Sequence, residues 1–153
     1  MTQMSVLQIR AALESDQAFI EGLVKQVGIN PNGLDWHRFL IAEDQGQRIG
    51  IGQVKPHGPG VRELASIATV PERRGQGIAT KIINALLEKE TQPLYLMCEK
   101  HNETFYQPFG FKRIGVDEMP PYFKRIAQFM WVMTFLMRLF GQSVELVIMK
   151  QKP

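Results

Sequence analysis

Cysteine is almost absent from this chain: Cys98 is the only one among 153 residues. A single thiol cannot close an intramolecular disulfide, so the composition fits a reducing compartment. Long apolar runs are missing too. No stretch reaches the roughly 18 uninterrupted apolar residues of a membrane span, and Met1 to Arg10 lacks a basic segment followed by an apolar one. A cytoplasmic location with no membrane span is expected. The three histidines, His37, His57 and His101, do not have the close spacing of a metal site, and no metal is expected. Lys and Arg are spread along the chain instead of forming one basic run with interleaved aromatics, and the net charge is only +3. Nucleic acid is therefore not an expected partner.

Hydrophobic content of 44% and charged content of 22% are those of a globular protein. Without a Gly/Ser or Pro-rich linker or an internal repeat, residues 1–153 read as a single domain able to bury its own core. The stretch that organises it runs from Arg73 to Glu90. Leu64 to Val70 reads as a strand closed by Pro71. Arg73-Arg74-Gly75-Gln76-Gly77 follows, and Ile78, Ala79, Ile82, Ile83, Leu86 and Leu87 then recur at helical spacing. The glycines thus sit at a strand-to-helix turn, where backbone N–H groups have no intrahelical partner and the missing Cβ atoms allow close approach. An anion suits such a place. The helix dipole favours it by roughly 0.3 to 1 kcal/mol per nearby negative group, and Arg73 and Arg74 are expected to add two positive charges at the mouth.

Taken in order, Val6 to Arg10 reads as a strand, and Ser15-Asp16 as the N-cap of a helix carrying Phe19, Ile20, Leu23, Val24 and Val27. That helix should end near Gly28, ahead of the turn Asn30 to Gly33. Trp36 to Glu43 reads as a short helix entering a strand, and with Ile49 to Lys55 it forms a hairpin about Asp44 to Gln47. His57 to Gly60 breaks the chain before the strand Glu63 to Val70. After the long helix come a strand at Leu94 to Cys98, a short helix, and a strand at Phe111 to Val116. Met119 to Tyr122 reads as a break, Ile126 to Phe140 as a helix ended by Gly141, and Val144 to Met149 as the last strand.

Two nucleotide loops are excluded by spacing. A Walker loop needs Gly-Lys-Ser/Thr, and here Gly77 is followed by Ile78-Ala79-Thr80. The Rossmann fingerprint lacks its third small position and the acidic residue that would meet a ribose. The longer string Pro71-Glu72-Arg73-Arg74-Gly75-Gln76-Gly77-Ile78-Ala79 resembles motif A of the GCN5-related N-acetyltransferase (GNAT) superfamily, matched at Arg74, Gly77 and Ala79. Tyr106-Gln107-Pro108-Phe109-Gly110-Phe111 resembles its Tyr-x-x-x-Gly-Phe segment. The resemblance covers roughly Val6 to Val116 and the final strand. It implies an α/β (α+β) fold: a GNAT-like mixed, mostly antiparallel central sheet flanked by helices, with an extra apolar helix before the last strand.

The resemblance further implies an acetyl-CoA-dependent N-acetyltransferase acting by direct transfer to an amine, with acetyl-CoA as co-substrate. The CoA pyrophosphate would lie on the amides of Arg74, Gly75, Gln76, Gly77, Ile78, Ala79 and Thr80, and the pantetheine arm along Ile67, Ala68 and Thr69. Thr69 stands where members usually carry an apolar residue. Asn102 falls where members often direct an asparagine toward CoA, at a shorter spacing from the tyrosine, and equally suits a helix N-cap. Tyr106 matches the tyrosine that protonates the departing thiolate. A backbone N–H between Ile67 and Thr69 would meet the oxyanion. For the general base Glu63 is preferred over His57 and Glu99. Cys98, at the end of an apolar strand, reads as buried and not as a nucleophile.

The helix Ile126 to Phe140 is apolar nearly all round and must be covered by its own core, a second subunit, a membrane surface or a greasy substrate. Core packing or a homodimer is the leading expectation. A catalytically silent CoA-binding module that recruits a protein partner through this helix is the alternative to an enzyme.

Overall fold

In the computed structural model, which describes residues 6–152, alternation and turn chemistry produce seven strands and four helices among the described residues. They are β1 (Leu7–Ala11), α1 (Gln17–Val27), β2 (Phe39–Asp44), β3 (Gln47–Pro56), β4 (Arg62–Thr69), α2 (Ile78–Glu88), β5 (Tyr95–Glu99), α3 (Glu103–Tyr106), β6 (Phe111–Arg113), α4 (Pro121–Leu139) and β7 (Leu146–Gln151). Hydrogen bonding runs in the order β1-β2-β3-β4-β5-β7-β6, mostly antiparallel and open at both edges. This is the mixed sheet implied by the resemblance. The described residues divide into two compact units, one of residues 6–55 and 64–91 and one of residues 56–63 and 92–152.

In the first unit, β1 and β2 pair antiparallel from Leu7↔Asp44 to Ala11↔Leu40. The hairpin between β2 and β3 turns on Gln45 and Gly46, whose φ values of 50° and 78° give the two left-handed positions that match strand twist. β2 is buried on both faces at Phe39, Leu40, Ile41 and Ala42, which makes it a central strand. One core joins Ile20, Leu23 and Val24 of α1 to Phe39, Ile41 and Ile51 of the strands. Gly50 and Gly52, two apart on β3, share a face and leave room for α2 to lie close. A Cβ built on Gly52 would stand 2.6 Å from Ile82 and 2.7 Å from Ile67, and one on Gly50 would stand 2.9 Å from Ile78.

Asp16 departs from its expected role. It occupies the N-cap position of α1 but makes no capping bond to the helix. Its fully buried carboxylate instead accepts from Arg10 Nη1 at 2.8 Å, Arg48 Nε at 2.6 Å and the Leu13 amide at 2.8 Å. The Arg10 hydrogen bond is the main reason its pKa falls to about 2, against a smaller opposing push from burial.

In the second unit, β7 pairs antiparallel with β5 and with β6, and β5 meets the start of β4 in parallel at Glu63↔Tyr95. Tyr95, Ile114, Phe123 and Ile148 form its core, with Met97, Met119 and Tyr122 packed around them. β6 stops at Arg113, short of the expected Val116, because Val116 to Glu118 turn into a single 3-10 turn. α4 begins at Pro121, five residues before its expected start. The Pro-Pro pair that reads as a break is a helix start, since proline in the first turn lacks only a donor that would be unpaired anyway. Gly141 ends α4 as expected, its φ being 74°. Core packing covers only one side of this helix: Phe123 is buried and Tyr122 and Ala127 pack against the core, while Phe129, Trp131, Phe135 and Leu139 are exposed.

Two stability outcomes follow from these contacts. Gly52→Ala drives a methyl into Ile82 and Ile67, and chemical denaturation should record a loss of about 1 to 3 kcal/mol. Asp16→Asn should cost about 2 kcal/mol near neutral pH, the free energy of a pKa held nearly two units low. Because that pKa is depressed, the stabilisation is complete above the unfolded value of about 4 and fades as pH falls toward about 2. The gap between wild type and variant should therefore close over that interval in pH-dependent unfolding.

Candidate functional site

The glycine turn lies wholly in the first unit. After β4, Pro71 to Arg73 form a single 3-10 turn, and Gly75 and Gly77 follow with φ values of 76° and 75°. Such backbone strains any residue with a Cβ, while among the described residues nothing stands within 4 Å of the place a Cβ would take. The turn is therefore built of glycine for its backbone and is open in front. Lys81 N closes on the Gly77 carbonyl at 3.1 Å as the first intrahelical bond of α2. Among the described residues, the amides of Gly75 to Thr80 donate no hydrogen bond. Arg74 is exposed and has no ion-pair partner among the described residues, so its charge is available at the turn.

Arg73 is different from expectation. Its Nη2 donates to Asp44 at 2.7 Å and its Nε to Gln76 at 3.0 Å, so its charge is matched by a carboxylate 29 positions away. The mouth of the turn carries one available cation where two were expected. Preceding it, Ala68 is buried while Ile67 and Thr69 are half-buried on β4. β4 also has a feature the sequence did not signal: Ser66 has φ 56°, a left-handed residue inside a strand. Its hydroxyl accepts from Gln53 Nε2 at 2.9 Å. Gln53, completely buried, also donates to the Gly33 carbonyl at 3.2 Å and accepts from Arg38 Nε at 3.2 Å. A satisfied buried amide thus fixes the point at which β4 changes direction.

The second unit holds Glu63, Asn102 and Tyr106. Glu63 does not have the surface setting usual for a carboxylate at a strand end. It is buried, and its Oε2 lies 2.5 Å from His57 Nε2. The loop between them is closed by His57 N to the Val61 carbonyl at 2.8 Å, which brings two of the three candidate bases together. The His57 ring stacks on Tyr122 at 3.6 Å between centroids and meets Phe123 edge-on at 6.0 Å. Tyr122, the N-terminal aromatic of α4, has its phenol pKa raised by burial first and by Glu63 second. Glu99, the third candidate, is exposed and pairs with His101 at 3.2 Å.

Tyr106 ends α3, its ring edge-on to Phe105 at 5.0 Å and to Phe111 at 6.3 Å. Its hydroxyl makes no hydrogen bond to the described residues. Burial pushes the phenol up to about 12, with the Cys98 sulfur adding to the shift, so the proton is retained at neutral pH. Cys98 itself is buried, and burial pushes its thiol up to about 11. A thiol so held is a poor nucleophile. Asn102 stands at the N-cap of α3 without a capping bond, leaving its side-chain amide unused there. A pocket of about 250 Å³ beneath α4 is lined by Met97, Met119, Met130 and Ile148, with Thr134 and Arg138 supplying polar groups. Among the described residues no three His, Cys, Asp or Glu side chains come together as a metal site would require.

Comparison with known proteins agrees with this fold. Solved structures similar in fold include N-acetylglutamate synthase from Neisseria gonorrhoeae complexed with coenzyme A and L-arginine. It has a TM-score of 0.71 at 16% identity, over 95% of this chain and 33% of that one. The Mycobacterium tuberculosis protein Rv2747, in complex with CoA and NLQ, aligns with a TM-score of 0.71 at 19% identity over 95% of this chain and 99% of its own. A GNAT-family acetyltransferase from Bacillus cereus aligns with a TM-score of 0.65 at 17% identity over 96% and 97%. The chain spans about a third of the length of the Neisseria synthase chains that it matches. No curated protein sequence matches it. The acetyltransferase (GNAT) domain model matches residues 35–113, just over half the chain and the part that carries β2 to β6 with the glycine turn and Tyr106. By that match the chain belongs to the GNAT acetyltransferase domain family.

Proposed function

We propose that this chain, acting as one domain, transfers an acetyl group from acetyl-CoA to a primary amine directly within a ternary complex. The observation that carries the reading is the glycine turn: consecutive unpaired amides from Gly75 to Thr80 at the start of an eleven-residue helix, beside the available charge of Arg74. Such a turn is complementary to a pyrophosphate. The CoA held by the Neisseria and Mycobacterium proteins supports CoA as the donor. On this reading the pantetheine arm pairs with Ile67, Ala68 and Thr69. The unused amide of Asn102 is a further cofactor contact.

In the reaction the amine nitrogen attacks the thioester carbonyl, whose π electrons move to oxygen, and collapse of the tetrahedral centre breaks the C–S bond. A backbone N–H of Ile67 to Thr69 meets the oxyanion, and the left-handed Ser66 just before them supports this role by redirecting the strand. Glu63 takes the proton lost by the amine, and its contact with His57 holds the carboxylate in position. Tyr106 supplies a proton to the sulfur. Burial keeps that proton on the phenol at neutral pH, so it is present when the thiolate departs. The exposed apolar residues of α4 favour one second reading, a silent CoA-binding module that recruits a partner.

Binding and chemistry can be probed separately. Calorimetric titration with acetyl-CoA should show weakened binding for Arg74→Ala and none for Arg74→Ala combined with Gly77→Asp. Unchanged affinity in a folded double variant rules out the pyrophosphate assignment. With an amine that is turned over, Tyr106→Phe should lower kcat by about 10² to 10⁴-fold at nearly constant acetyl-CoA affinity, the range for loss of one general acid. Equal turnover would remove Tyr106 from the mechanism.

A further inference from the structure

The mechanism leaves the outer side of α4 unused. Phe129, Val132, Leu136 and Leu139 follow one another at three- and four-residue steps and all face solvent, Leu139 being 68% exposed. Trp131 and Phe135 widen the same face, with Trp131 75% exposed. A contiguous apolar surface of this kind is uncommon on a free monomer and marks an interaction site.

Charge says what kind of surface would cover it. Between Glu118 and Glu145 the chain has no acidic residue, while Lys124, Arg125 and Arg138 are all on α4. None of these three has an ion-pair partner among the described residues, whereas Glu118 and Glu145 are paired with Lys152 and Lys100. Lys124, Trp131 and Arg138 are seven apart in turn, so a cation, an aromatic and a cation lie along one flank of the apolar face. A second copy on this face would bring three more cations and no anion to meet them. A partner that is apolar within and negative at its surface satisfies both features, as in helices that lie in the plane of a bilayer interface. The helix is not long and apolar enough to cross a membrane, so it would lie on one.

We propose that the outer face of α4 docks the protein on the surface of an anionic lipid bilayer, with Trp131, Phe135 and Leu139 entering the headgroup region and Lys124, Arg125 and Arg138 meeting lipid phosphates. This does not depend on the catalytic reading. The test is cosedimentation of the full chain with vesicles of phosphatidylcholine, alone or containing about a quarter phosphatidylglycerol, together with Trp131 emission in a Trp36→Phe background. Binding should be at least about tenfold stronger on the anionic vesicles, weaken with salt, and shift Trp131 emission to the blue. Phe135→Ser with Leu139→Ser, both at exposed positions, should abolish the shift, and Lys124→Glu with Arg125→Glu should weaken binding about tenfold or more. Equally weak recovery with both vesicle types, or unshifted Trp131 emission, overturns the proposal. So does a stable dimer that dissociates on Phe135→Ser with Leu139→Ser in a protein that ignores vesicles, which assigns the face to a second copy.

Discussion

The close approach of α2 to β3 is the contact on which the glycine turn, proposed to hold the donor, depends. Gly50 and Gly52 have no side chains, so Ile78 and Ile82 rest against the strand backbone, and a methyl on Gly52 would come within 2.6 Å of Ile82. Ile78 is also the first residue of α2, directly after Gly77. Seating Ile78 therefore fixes where the helix begins and where its unpaired amides stand. Behind the turn, Asp44 holds Arg73, and Gln53 holds Ser66 at the bend of β4. Each is a buried polar group with its partners in place, so the turn has little freedom to collapse.

Much of this turn was legible in the sequence because its signals are local. Pro71, the two glycines and the Ile78 to Leu87 repeat lie within a short stretch, and each acts on the backbone beside it. What was not legible depends on partners far along the chain. Arg73 reads as a free cation until Asp44 is brought to it, and Gly50 and Gly52 read as ordinary strand residues until α2 is laid over them. Glu63 is the same kind of case: its position at a strand start suggests solvent, whereas the turn at His57 to Val61 folds an imidazole onto it. Asp16 has the chemistry of a cap and is claimed instead by Arg10 and Arg48, because a doubly paired carboxylate outweighs one capping bond of about 1 kcal/mol.

α4 shows the limit of periodicity. Its composition announces a helix, but the all-round apolar pattern could not say which side the protein itself would bury, and the proline pair concealed its first turn. The structure buries Phe123 and sets Tyr122 against His57, so the first turn of α4 serves the neighbourhood of Glu63 while its later turns face outward. One helix thereby joins the candidate base to the surface proposed for the bilayer.

The most direct test of catalysis is to incubate the protein with acetyl-CoA and a panel of amines, amino acids, peptides and protein N-termini, reading free CoA thiol and the acetyl mass shift together. Catalysis predicts thiol release that requires an amine and matches acetylated product in amount. Acetyl-CoA binding, seen as a raised melting temperature, with no thiol released across the panel would contradict it and leave a CoA-binding module in its place.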